Sequence, residues 1–347
     1  MKLSLILLIG VCVASLTTHA QTIGVVTSNA QPSPPGTSHL QLTMSAKVSD
    51  GGALVGKAKC DSDDNIYIRL AHSDDHVGTK LPIEKIKPDG NVVASFKVTD
   101  ARTDVHAMDF FVTARGDVYE GAWDRDGRMH VLEFSSNASL TSDVTLDVDP
   151  PVFPYQIAVF RSGEMLLSGL HGRHLYTPFT AVFDSRGKLI KKIYEPEDED
   201  SRNRIESGDN TLITDAGTGN NFVYEGDVAL GSDGNVYLLR SISPALIYVI
   251  SPTGEVTRKL RIDSPAPGLV AQRVRAAPGR LAISFLEHNS TVGRTKVVDF
   301  QGNSVVDYMT DDLKIYPGLP GCYTPHGFIF VDDDGADHVY LRKAEPK

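Results

Sequence analysis

Gly226-Asp227-Val228-Ala229-Leu230-Gly231-Ser232-Asp233-Gly234-Asn235-Val236-Tyr237-Leu238 is the stretch from which the rest of the chain can be read. Two apolar runs flank Ser232-Asp233-Gly234-Asn235. Gly, Asp and Asn accept the backbone angles of a tight turn, whereas Val, Leu and Tyr fit a pleated, half-buried surface. The segment therefore reads strand, turn, strand. The same motif recurs at Asp61-Ser62-Asp63-Asp64-Asn65-Ile66-Tyr67, Ala114-Arg115-Gly116-Asp117-Val118-Tyr119 and Arg161-Ser162-Gly163-Glu164-Met165-Leu166. Weaker copies are Ala277-Pro278-Gly279-Arg280-Leu281 and Asp334-Gly335-Ala336-Asp337-His338-Val339-Tyr340.

The turns fall at positions 64, 116, 163, 234, 279 and 335, with spacings of 52, 47, 71, 45 and 56. In four of the six units a second polar turn with Gly follows by 20 to 26 residues: Pro88-Asp89-Gly90, Ser185-Arg186-Gly187, Pro252-Thr253-Gly254 and Gln301-Gly302. The second unit has no Gly there, and its turn is expected near Asn137-Ala138. Alternating flanks such as Glu255-Val256-Thr257-Arg258-Lys259-Leu260 read as half-buried strands. Each unit is thus four strands, A to D, with tight A–B and C–D turns. Repeats of this length in an all-β chain predict a single six-bladed β-propeller of four-stranded antiparallel blades, with the blades over about 53–347. The last unit stops after strand B. Two N-terminal strands, Thr22–Ser28 and His39–Ser45 (about 22–45 in all), are expected to complete it and so remove the open sheet edges.

The first 20 residues have another purpose. Lys2 precedes an apolar run from Leu3 to Leu16, followed by Thr17-Thr18-His19-Ala20. That is the layout of a cleaved secretory signal, which predicts a mature domain over 21–347 in the secreted or periplasmic space. No later stretch is apolar enough for a transmembrane helix, so no membrane insertion is expected after cleavage. The whole chain carries 44 acidic and 34 basic residues, a net charge of −10, and loss of Lys2 would make it one unit more acidic. Such a surface repels nucleic acid and anionic membranes. The acidic run Glu195-Pro196-Glu197-Asp198-Glu199-Asp200 reads as a solvated loop. A monomer is expected.

The Gly226–Leu238 stretch resembles an NHL repeat, and Gly327-Phe328-Ile329-Phe330-Val331-Asp332 is similar to the opening strand of such a repeat. The resemblance is with six-bladed NHL-like propellers. That group includes binding modules, lactonases and a metal-dependent lyase, so it implies a fold far more than a function.

In this plan the B–C and D–A connections share one face. The long segments Ala71–Thr79, Leu170–Pro178, Glu195–Glu225, Glu287–Arg294 and Thr310–His326 gather there, which makes that face the expected site. Counting seven residues back from each A–B turn gives Lys57, Asp109, Gln156, Asp227 and Gln272, a polar ring expected at the channel mouth. It reads either as a water-filled lining or as a ligand site for a small molecule, peptide or protein.

His106, His171, His174 and His326 are expected on the same face, where three of them could hold zinc as histidines of different blades do in the NHL-like lyase. A lactonase-like calcium site would draw on Asp109, Asp227 and Glu225. A Ser-His-Asp hydrolase is disfavoured because no Gly-x-Ser-x-Gly elbow occurs. Two readings result: a binding module, and alternatively a metal-dependent lyase or lactonase-type hydrolase. Cys60 and Cys322 belong to neighbouring units, but at opposite ends of their strands. That placement exceeds the ~7 Å Cα reach of a disulfide and argues against a bridge.

Overall fold

The turn at Ser232–Asn235 closes as its residues dictate. Gly231 N donates to Asn235 O at 2.9 Å, Gly234 N donates to Gly231 O at 3.1 Å, and Gly234 takes a φ of 86°. The computed structural model describes residues 36–50, 52–72, 81–98, 103–104, 109–124, 126–149, 152–171, 177–194, 226–241, 243–287, 293–310, 313–315, 319–333 and 338–347. No α-helix occurs among the described residues. Thr22–Ser28 and the expected signal segment lie outside them.

Strand β1 (Thr37–Asp50) comes first. Then β2 (Gly52–Cys60), β3 (Ile66–His72), β4 (Ile83–Ile86) and β5 (Val92–Phe96) form a four-stranded antiparallel sheet in chain order. In the next sheet β6 (Thr103–Asp104) and β7 (Phe110–Val112) both pair with β8 (Val118–Asp124), followed by β9 (Met129–Phe134) and β10 (Leu140–Thr145). Strands β11 (Val152–Val159), β12 (Met165–His171), β13 (Thr177–Phe183) and β14 (Leu189–Lys192) form a third sheet. Strands β15 (Asp227–Leu230), β16 (Val236–Arg240), β17 (Ala245–Ile250) and β18 (Val256–Ile262) form a fourth. The remaining sheet has eight strands. One half is β19 (Leu269–Ala277), β20 (Arg280–Glu287), β21 (Gly293–Asp299) and β22 (Ser304–Met309); the other is β23 (Pro320–Thr324), β24 (Gly327–Asp333), β25 (His338–Pro346) and β1. The chain therefore has an all-β, propeller-like fold.

The end of the chain corrects the expected closure. Pro320–Thr324 is itself a strand, joined to β24 by a short turn at Pro325-His326. The last unit thus supplies three strands, and among the described residues β1 completes it as the fourth by pairing antiparallel with β25, from Leu40↔Pro346 to Asp50↔His338. The segment matched to an opening strand, Gly327–Asp332, is the second strand of its unit. β1 does a further thing that the repeat pattern does not show. Its first residues pair in parallel with β22, from Thr37↔Asp307 to His39↔Met309. A strand of 14 residues spans roughly 46 Å at about 3.3 Å per residue, enough to serve both neighbours.

The second-turn glycines are explained by packing between sheets. Gly90 has a φ of 90°, and a Cβ there would stand 2.8 Å from Lys47 O on β1. Gly187 has a φ of 84°, and a Cβ would collide with Thr145 O on β10. These two C–D turns lean on the outer strand of the preceding unit, so glycine is required there for both angle and space. The unit without glycine turns at Ala138, as expected, with a φ of 64°.

The core lies between successive sheets. One cluster joins Phe111 and Trp123 to Ile157 and Phe179, and continues to Val236 and Leu246. The innermost strands β2, β7, β11, β15, β19 and β23 are successive neighbours, and β23 returns to contact β2. That return corrects the cysteine expectation. Cys322 is mid-strand in β23, beside Cys60 at the end of β2. The two form a disulfide with a Cα–Cα distance of 5.8 Å.

Candidate functional site

Inner strands with unsatisfied edges and alternating side chains can collect polar groups around an axis, and here they collect charges. Asp227, the first residue of β15, is 0% exposed. Its Oδ1 accepts from Lys57 Nζ at 3.0 Å, and its Oδ2 accepts from Arg275 Nη1 at 2.5 Å and from Val274 N at 3.1 Å. Lys59 Nζ donates to Asp109 Oδ2 at 3.2 Å and lies 4.0 Å from Asp227 Oδ1. Lys57 Nζ also donates to Gly226 O at 2.8 Å, and Gln156 Nε2 reaches the same carbonyl at 3.3 Å. Four of the five expected ring residues thus converge: Lys57, Asp109, Gln156 and Asp227.

Gln272 does not join them, and the reason is register. The β19–β20 hairpin turns through two residues, between Ala277 and Arg280, whereas β11–β12 turns between Val159 and Met165. Counting back from the turn glycine therefore overshoots. Gln272 falls in a bulge between Ala271 and Arg273, and Arg273 faces Ser284 as Gln156 faces Ser168. A bulge re-aims the side chains that follow it. Arg273 and Arg275 thereby join the charged layer, as does Lys59. The sequence carries a signal for all three. Lys57-Ala58-Lys59 and Arg273-Val274-Arg275 each repeat a cation at a spacing of two, which places both on one side of a strand.

The electrostatics follow from burial and proximity. Burial alone would raise the Asp227 pKa, but Arg275, then Lys57 and Lys59, hold its carboxyl well below the ordinary carboxylate range. Burial lowers the Lys59 pKa in spite of Asp109 and Asp227. Arg273 is likewise lowered by burial, with Asp227 opposing. Four cations, Lys57, Lys59, Arg273 and Arg275, meet two carboxylates in this layer. Asp109 Oδ1 and Gln156 Oε1 are buried without a hydrogen-bond partner.

Above this layer, on the A–B turn side, a cavity of about 720 Å³ opens. Lys59 and Arg275 stand at its inner end, and the turn residues Ser62, Arg115, Gly163, Ser232, Pro278 and Pro325 mark its rim. This is the face opposite the B–C ends of the strands. The long connections expected there lie mostly outside the described residues.

The metal expectations fare differently. His106, His174 and Glu225 lie outside the described residues, and His171 is described only in its backbone, in β12. His326 is exposed in the turn between β23 and β24, so it belongs to the turn face rather than the loop-rich face. Asp109 and Asp227 each already bind lysine or arginine. A calcium ion needs several oxygen donors free of competing cations, so these two carboxylates do not fit one. Among the described residues no group of three His, Cys, Asp or Glu side chains converges as metal ligands would.

No protein-family model matches the chain, and no curated protein matches it. Among solved structures, a protein of unknown function from Dyadobacter fermentans is similar with a TM-score of 0.54 at 10% identity, over 90% of this chain and 100% of its own. A protein provisionally named a gluconolactonase gives 0.49 at 11% identity, over 92% of this chain and 97% of its own. The PQQ-bound aldose sugar dehydrogenase from Streptomyces coelicolor gives 0.49 at 9% identity, over 91% and 100%. Likeness at such identities speaks for architecture and carries no activity across. On architecture the chain is a β-propeller.

Proposed function

We propose that the chain is an exported, six-bladed, NHL-like propeller that works as a binding module and takes a small molecule in its central channel. The count of six treats the eight-stranded sheet as two blades. Each half is antiparallel throughout, and only the short parallel pairing of β1 with β22 joins them. The cycle of inner strands from β2 to β23 and back supports that count. The Cys60–Cys322 bridge supports export, because disulfides persist in oxidising compartments.

One observation carries the binding reading: the cavity on the channel axis, lined by the turn-side ends of the inner strands and floored by buried charge. Pockets of this size, apolar with a few converging polar groups, are the usual form of a small-molecule site. Of the alternative, a metal-dependent lyase or lactonase, the lactonase form would draw its calcium ligands from Asp109 and Asp227, which already bind cations. The lyase form would need His326, which sits on the turn face, to join histidines expected on the opposite face.

The test is a thermal-shift screen of a diverse small-molecule library. A true ligand at ~100 times its Kd stabilises the fold by about 2.7 kcal/mol. The expected hit stabilises the native chain and loses its effect when Ser232→Trp narrows the cavity rim or Lys57→Ala disturbs the charged layer. Hits that stabilise both variants as well as the native chain would refute a channel site.

A further inference from the structure

The turn-face cavity combines two chemistries. Its walls are apolar and aromatic: Phe111, Tyr119, Phe160, Val228, Leu230 and Tyr323. Its inner end is cationic. Lys59 and Arg275 are only 8% and 7% exposed. Their carboxylate partners, Asp109 and Asp227, are not part of the cavity lining. The two cations therefore separate the cavity from the acids that hold them.

Both cations keep donor capacity. Arg275 has five N–H groups. Nε donates to Gly321 O, Nη1 to Asp227 and Val274 O, and Nη2 to Ala58 O, which leaves one proton of Nη2. The Lys59 ammonium has three protons. It makes one hydrogen bond, to Asp109, with Asp227 at the edge of ion-pair range. The charge count over the whole lining points the same way. Lys59, Arg115, Arg161 and Arg275 oppose Asp61 and Asp64. Asp61 is already engaged by Asn65, Tyr67 and Lys85. A chain of net charge −10 thus encloses a cavity with excess positive charge. An anion placed there gains charge-assisted hydrogen bonds from two donors that are themselves more than nine-tenths buried, where such bonds are stronger than in water.

We propose that this cavity binds a small amphipathic organic anion, its acid group held by Lys59 and Arg275 and its apolar body packed among Phe111, Phe160 and Tyr323. The inference rests on the binding-module reading and narrows it to a ligand class and to one face of the channel. Burial disfavours the charged form of Lys59 although Asp109 and Asp227 favour it, and an incoming acid group adds a further counter-charge on the cavity side.

The test is calorimetric titration of the full chain with 2-naphthylacetate, with 2-naphthylacetamide as neutral control and 2-(2-naphthyl)ethylamine as cationic control. The expected result is carboxylate binding at least ~10-fold tighter than amide binding, a gap of about 1.4 kcal/mol, with the amine weakest. Lys59→Met should bring the carboxylate down to the amide's affinity, while Lys59→Arg keeps the preference. Ser232→Trp, an exposed rim change that leaves the charged layer untouched, should weaken carboxylate and amide together.

Equal affinity for the three probes, or indifference of the carboxylate to both Lys59→Met and Ser232→Trp, would overturn the proposal. If a library ligand uses the channel but these probes show no charge preference, the ligand class fails and the binding-module reading stands. If neither library nor probes bind, both fall.

Discussion

Asp227→Asn is the sharpest probe of the charged layer. The native carboxylate is fully buried and accepts from Lys57, Arg275 and the Val274 amide, with Lys59 also within 4.0 Å. Asparagine keeps an acceptor for the amide but removes the counter-charge from three buried or half-buried cations. Breaking a buried ion pair from one side costs about 3–5 kcal/mol, because the remaining charges stay desolvated.

The pH dependence gives a second magnitude with a definite sign. The folded pKa of Asp227 is depressed well below the ordinary value. Its contribution is therefore complete above the unfolded carboxylate pKa of ~3.9 and is lost as pH falls below it toward the folded value, at up to about 1.36 kcal/mol per pH unit. Urea unfolding of both proteins under oxidising conditions, extrapolated linearly to water, reads the difference. The gap should be about 3–5 kcal/mol at ~pH 7 and should narrow by roughly 1 kcal/mol between ~pH 4 and ~pH 3. A gap under about 1 kcal/mol at neutral pH, or one that does not change down to ~pH 3, would refute the layer as the structure describes it.

Two further outcomes are expected. Reduction of Cys60–Cys322, whose partners are 262 residues apart, should cost roughly 2–5 kcal/mol and lower the melting temperature; an unchanged melt in reductant would contradict the bridge. Arg69 and Glu120 form a buried ion pair between β3 and β8, with Phe110 beneath the guanidinium, and burial outweighs Arg69 in raising the Glu120 pKa. Arg69→Met alone should cost about 3–5 kcal/mol, whereas Arg69→Met with Glu120→Leu should recover most of it in the same urea assay, because the pair then leaves no stranded charge.

The repeat architecture was legible in the residues themselves. Turn-forming Gly, Asp and Asn recur between β-prone runs, and those choices act locally, through backbone angles and strand propensity. The same local logic placed the turn at Asn137-Ala138 in the unit that lacks a glycine. It failed where geometry depends on distant residues. The final unit was misread by one strand because Pro320–Thr324 offers little β propensity, and only pairing with β24 and packing beside β2 makes it a strand.

The site divides along the same line. Counting back from the A–B turns was enough to place Lys57, Asp109, Gln156 and Asp227 at polar positions in or next to the inner strands, because a hairpin turn sets the register of the strand before it. Only tertiary structure decided that Arg273 replaces Gln272, since a bulge and a shorter hairpin shift the register. It likewise decided that Cys60 meets Cys322, that β1 bridges two neighbours, and that the cavity opens on the turn face. Each depends on which strands become neighbours around the axis, and that is set by packing between units rather than by any single repeat.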